Sequence, residues 1–190
     1  IWLMAIDGNA YIPEKKAGNP KDPNTYSAAN NGYNNVMTNK SHLLSWAKKM
    51  AIEAEKQNKI LIAFSHYPMV DFNSGATQEL SELLGKEKWQ LSRVPKENAV
   101  EFFAKAGIKI HFAGHMHMND TGIKNYADGK TLYNFQVPSL AAYLPGYKVL
   151  TIEAGGNIRV ETKTIAKVKR YNELFPLYKK EYESLSKTSP

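Results

Sequence analysis

Residues 60–64, Ile-Leu-Ile-Ala-Phe, form an unbroken apolar run that stops at Ser65-His66-Tyr67-Pro68. A second apolar-rich run, residues 108–112, stops at Ala113-Gly114-His115-Met116-His117. Runs of this length fit strands, and one apolar on both sides belongs in a parallel sheet covered on both faces. Both fall far short of the roughly 20 residues of a membrane-spanning helix. Before the first run, Leu43, Leu44, Trp46, Ala47, Met50, Ala51 and Ala54 recur at the spacing of one buried helix face, with Thr38 or Ser41 as its cap. Before the second, residues 96–105 predict a helix with Val100, Phe103 and Ala104 on one side and Gly107 as its stop. A shorter turn of helix is expected near 78–84. Residues 1–6 predict a strand running into Asp7-Gly8-Asn9, and residues 132–136 another. Arms at 147–153 and 158–164 predict a hairpin through Ala154-Gly155-Gly156-Asn157. Residues 13–35, rich in Asn, Pro, Gly and Lys, keep no period and read as a long surface loop. Residues 166–187 predict an amphipathic helix bent or broken at Pro176. Strand, helix, strand, helix, strand and then mainly antiparallel strands define a layered α/β domain. Its functional loops belong at the carboxyl ends of the strands.

Composition narrows the function classes. The 190 residues, 43% hydrophobic and 23% charged, suit one globular domain. Cysteine is absent, which excludes disulfide scaffolds, thiol catalysis and Cys-based zinc sites. The net charge of +7 would suit nucleic acid or an anionic substrate. Much of the excess lies late, however, in Lys163, Lys167, Lys169, Arg170, Lys179, Lys180 and Lys187, interleaved with Glu173, Glu181 and Glu183. That mixture, lacking an Arg-rich run, reads as a solvated helix face and disfavours a nucleic-acid partner. Residues 1–6 do not read as a signal peptide, and the opening reads like the middle of a longer chain.

Chemistry concentrates in histidine. Of five, His66, His115 and His117 directly follow apolar strands, where an open α/β sheet presents its loops to ligands. His115 and His117 form an H-x-H pair after Gly114. In an extended segment alternate side chains point the same way, so the two imidazoles can converge on a metal, and Gly114 would let the backbone turn sharply on leaving the sheet. A lone strand-end histidine is more often a hydrogen-bonded surface group than a ligand. Three in one strand-end context shift the balance towards metal. His111 lies inside its strand, pointing opposite to Ile110 and Phe112, and is taken as structural, as is His42 near a helix start. Several other metal and nucleophile motifs fail. His117 is followed by Met118-Asn119-Asp120 and by no later histidine, which excludes metallo-β-lactamase and amidohydrolase patterns. H-E-x-x-H, G-x-S-x-G and the P-loop are absent.

An apolar strand ending in His66-Tyr67-Pro68, then an apolar strand ending in Gly114-His115-Met116-His117, resembles the last two signature blocks of the calcineurin-like metallophosphoesterases. Leu44-Ser45-Trp46 on the preceding helix and Pro145-Gly146-Tyr147 before a strand add to the similarity, which spans roughly residues 1–165. The family's earlier blocks, Asp-x-His, Gly-Asp-x-x-Asp and Gly-Asn-His-Asp/Glu, do not occur here.

The resemblance implies the C-terminal portion of a layered β-sandwich flanked by helices, with residues 1–165 as half of the phosphoesterase domain and 166–190 as a C-terminal helix. It implies that His66 and His115 ligate one metal and His117 another, in a binuclear centre of Zn, Mn or Fe that hydrolyses phosphoesters. The remaining ligands and the catalytic residues are expected upstream of Ile1, and none within this chain. Tyr67 and Asn119 flank the ligands as candidate substrate contacts, although loop packing is the commoner role for such residues. The implied partners are a phosphorylated small molecule or protein, and the N-terminal half of the same protein. By itself the chain is expected to be inactive and, with a sheet edge or apolar face exposed, to self-associate. Similarity to secreted phosphatase-like proteins leans towards an exported or periplasmic location. The alternative is a non-catalytic binding module derived from a phosphoesterase.

Overall fold

A computed structural model describes residues 1–12, 19, 21–22, 25, 32–86, 88–142 and 144–188. In chain order the elements are β1 (Trp2–Ala5), α1 (Tyr33–Asn39), α2 (Ser41–Lys56), β2 (Leu61–Ser65), α3 (Thr77–Leu84), a 3₁₀ turn (Leu91–Arg93) and α4 (Glu97–Ala106). Then follow β3 (Ile110–Ala113), β4 (Asp120–Asn125), β5 (Thr131–Gln136), β6 (Gly146–Ile152), β7 (Ile158–Thr164) and α5 (Phe175–Thr188). The chain divides into two compact units, residues 1–139 and 140–190. The β6–β7 hairpin and the last helix fall in the second of these.

The first unit is built on a mixed five-stranded sheet in the order β1-β2-β3-β5-β4. The first four of these strands run parallel, and β4 closes the edge antiparallel to β5. Register sets which residues share a face. Met4, Ala63, His111 and Asn134 lie side by side in one row, and alternation puts this row on the side the helices cover. There Tyr33 and Val36 of α1, Ala47 of α2, and Ala99, Val100, Phe103 and Ala104 of α4 pack with Met4, Ile6, Ala63, Met69, Ile108 and Leu132. Tyr33 and Phe103 meet edge to face at 5.0 Å. Both are wholly buried, so truncating Phe103 to Ala would cost about 3–5 kcal/mol. Gly107, at φ +104, ends α4 in the left-handed region that a side chain resists.

The structure departs from expectation in identifiable places. Residues 33–35, read as loop, begin helix α1, because Tyr33 and Val36 anchor it in the core; most of the rest of 13–35 lies outside the described residues. No side chain caps α2: Thr38 lies inside α1, donating to Asn34 O, and Ser41 is already helical. Trp46, placed on the buried face, is 40% exposed, because that face narrows to Ala47, Ala51 and Ala54. Strand β4 was not foreseen, since Asp-Thr-Gly-Ile-Lys-Asn is polar and only its pairing with β5 makes it a strand. Phe64 is 43% exposed, so β2 is not shielded on both sides as its composition suggested.

In the second unit β6 and β7 pair antiparallel from Gly146–Thr164 to Ile152–Ile158. The last helix starts at Phe175, not 166. Pro176 stands in its first turn, where a missing N–H costs nothing. No described helix is long and apolar enough to cross a membrane.

Candidate functional site

The site grows from the ends of β2 and β3. These strands are parallel neighbours with Ser65 level with Ala113, so His66 and Gly114 leave the sheet side by side, and Gly114 N donates to His66 O at 3.1 Å. Met116 N then reaches back to Gly114 O at 2.7 Å, closing a three-residue turn around His115. The left-handed conformation falls on the histidines, φ +63 at His115 and +54 at His117, and not on Gly114. The segment is therefore not extended, and the alternation invoked to bring His115 and His117 together does not operate. Such backbone costs on the order of 1–3 kcal/mol per residue and persists where surrounding contacts enforce it.

The turn delivers His115 to His66. Nδ1 of His115 lies 2.8 Å from Nε2 of His66, with the rings 4.8 Å apart at 72°. On its other side, His115 Nε2 lies 3.0 Å from Gln90 Oε1. An amide oxygen only accepts, so Nε2 carries the proton and Nδ1 keeps a lone pair aimed at His66. Metal-ligating histidines are oriented in this way, by a carbonyl or carboxylate on the far nitrogen. Burial pushes the His115 pKa down to about 4, with Arg93, His66 and His117 adding to the shift, so its imidazole is neutral at physiological pH.

Tyr67 is the wedge beneath the pair. Its ring centroid lies 4.9 Å from that of His66 and 4.7 Å from that of His115. Its other contacts include Gly32, where a Cβ would come within 3.2 Å of Tyr67 Cγ; Gly32 is also at φ +50, so both space and backbone demand glycine. Tyr67 is buried and Asn119 exposed.

Behind Tyr67 a polar network grips the turn from within the core. Met69 N donates to Asn134 Oδ1 at 2.8 Å, which orients the amide. His111 Nδ1 therefore donates to the same oxygen at 2.7 Å, leaving Nε2 an acceptor 2.9 Å from Ser65 Oγ. Ser65 Oγ also lies 2.8 Å from Tyr67 O and accepts from Tyr33 Oη at 2.8 Å. The residues on both sides of Pro68 are thus bonded to the sheet, Tyr67 O to Ser65 of β2 and Met69 N to the buried Asn134 of β5. His111 is structural, as its strand position predicted; Ser65, Asn134 and Gln90 were not foreseen, and no local motif marks them.

His66 and His115 come together as predicted. His117 is exposed and does not complete a cluster: no group of three His, Asp or Glu placed to hold a metal occurs among the described residues. Two nitrogens on one tetrahedral zinc stand roughly 3.3 Å apart, given bonds of about 2.0–2.1 Å, only slightly wider than the pair seen here. Two neutral imidazoles, one oriented by an amide, fit two positions of such a site and leave the others to further ligands. In comparisons with known proteins, no family model matches the chain, and no curated sequence matches it at a significant level.

Proposed function

We propose that this chain is the histidine-bearing portion of a metallophosphoesterase, a hydrolase of phosphorylated small molecules or proteins built as a helix-flanked β-sandwich. The observation that carries the reading is the meeting of His66 and His115 at 2.8 Å, from the ends of adjacent parallel strands, with Gln90 holding the far nitrogen of His115. His66 Nε2 and His115 Nδ1 would hold one Zn, Mn or Fe ion, and His117, from the next turn of the loop, a second. Such ions polarise a phosphoryl oxygen and supply hydroxide at neutral pH. The chain's own residues do the positioning. Tyr67 shields the imidazoles from below, the Ser65–His111–Asn134 network holds the His66 turn, and neutral imidazoles add no negative charge to repel phosphate. No carboxylate among the described residues completes the histidine pair, and the 190-residue chain alone is expected to show negligible phosphoesterase activity.

Zinc and manganese titration by calorimetry tests the reading. Stoichiometric binding should disappear in His66→Ala and in His115→Ala, and persist more weakly in His117→Ala. Binding unchanged in the first two variants would sink the metal assignment and leave the binding-module alternative.

A further inference from the structure

Close in sequence to Gln90, the residue that holds His115, stands a cation that no carboxylate among the described residues neutralises. Arg93 ends the 3₁₀ turn, its backbone N–H donating to Gln90 O at 2.9 Å, and Gln90 is the residue that holds His115. Arg93 Nε is sealed from solvent with no hydrogen-bond partner. No carboxylate among the described residues pairs with this guanidinium, yet its charge is felt at His115. A half-buried guanidinium without an acceptor is unfavourable, and it is the group best shaped to receive a tetrahedral oxyanion through two donors at once.

The segment is built to hold that group in place. Trp89 and Gln90 are consecutive non-glycine residues in the left-handed region, at φ +49 and +67. Neighbours enforce this conformation. Asn34 on α1 donates to Ser92 O at 3.2 Å and to Val94 O at 2.8 Å, and accepts from Lys96 N at 2.8 Å. Leu91 is buried between these anchors. Strain enforced from outside the strained residues is typical of ligand clamps. Asp7, just beyond β1, is occupied by Lys40 at 2.6 Å, and Asp71 accepts from Thr77 at 2.7 Å.

We propose that Arg93, carried on the 3₁₀ turn beside His66 and His115, binds the phosphoryl group of the ligand. The inference deepens the phosphoesterase reading and rests on it for the choice of anion. It also accounts for a cation whose charge is felt at a pair that would itself hold cations: an oxyanion between them satisfies both.

Inorganic phosphate titrated into the metal-free 190-residue chain, followed by calorimetry, is the test. The parent chain should bind phosphate, Arg93→Gln should weaken binding at least about tenfold, and Arg93→Lys should fall between, keeping the charge but losing the fork. Zinc affinity should be kept or raised in Arg93→Gln, since a nearby positive charge is removed, and thermal stability should be equal or higher, because the variant removes an unpaired half-buried charge. The double variant Lys179→Gln/Lys180→Gln on α5, which lowers the net charge by two and changes no residue of the site, should bind phosphate as the parent does. Phosphate binding absent in the parent, unaltered in Arg93→Gln, or reduced as much by the α5 variant would overturn the proposal. So would a large fall in stability in Arg93→Gln, which would assign Arg93 to the fold. Arg93-dependent phosphate binding without any zinc binding would defeat the metal reading alone. Zinc binding without Arg93-dependent phosphate binding would defeat this proposal alone.

Discussion

The residue that does most to hold the site never reaches it. His111 is fully buried, and burial pushes its pKa down to about 4 despite the hydrogen bond from Nδ1 to Asn134. Its neutral form donates from Nδ1 to Asn134 and leaves Nε2 an acceptor beside Ser65 Oγ, whose single proton serves either that nitrogen or the Tyr67 carbonyl. The pH dependence follows. Between pH 6.5 and about 4 the unfolded chain takes up a proton at this position that the folded chain refuses. Stability is therefore full above pH 6.5, falls as pH drops through that window and levels off below about 4. The loss attributable to His111 is about 3 kcal/mol at most. His115 acts in the same direction, with less effect because it is partly exposed. Urea unfolding at pH 7.5, 5.5 and 4.5 should show this decline, and His111→Gln should flatten it. An unchanged slope in that variant would mean the proton goes elsewhere.

At the scale of elements, the site is two strand ends and a strap. Strand pairing supplies the His66 and His115 turns, and the 3₁₀ segment reaches them because Asn34 ties it to α1. The tie consists of three hydrogen bonds spanning 58 to 62 residues of sequence. At about 0.5–1.5 kcal/mol for each bond, Asn34→Ala should lower stability by about 2 kcal/mol. It should also speed amide exchange at Leu91–Arg93 more than in β2 or β3. Equal exchange in all three would show that Leu91 packing alone holds the segment. Helix α1 itself was invisible in the sequence, because Asn and Gly around residues 30–35 mimic loop composition, and only its packed side chains Tyr33 and Val36 reveal it.

At the scale of the first unit, the helices cover one face of the sheet. Register puts Leu3, Ile62, Ile110, Tyr133 and Ile123 in one row of the opposite face, with Phe64, Phe112 and Phe135 in the next. Phe112 and Phe135 stack at 5.1 Å, but Leu3 on edge strand β1 is 70% exposed and Phe64 43%. An apolar face beside an open edge favours association with another chain. Sedimentation velocity at rising concentration should show self-association of the 190-residue chain. Leu3→Lys, which places a charge on that edge, should shift it towards monomer. A parent chain that stays monomeric up to the highest concentrations would show that this surface is not adhesive.

Local patterns in the chain were enough to determine the strands and helices with strong periodicity, the α/β order and the placing of His66 and His115 after strands. Burial periodicity and glycine stops such as Gly107 act over a few residues, so they are legible one segment at a time. What depends on pairing was decided only in three dimensions. Strand β4 exists because β5 lies beside it, and Pro176 opens a helix where local composition suggested a break. The His115 turn takes a left-handed backbone because neighbouring contacts support it. Gln90 reaches His115 in a segment that Asn34, more than fifty residues earlier, ties down. Side chains that act across such separations leave no periodic signal, and only packing brings them to one site.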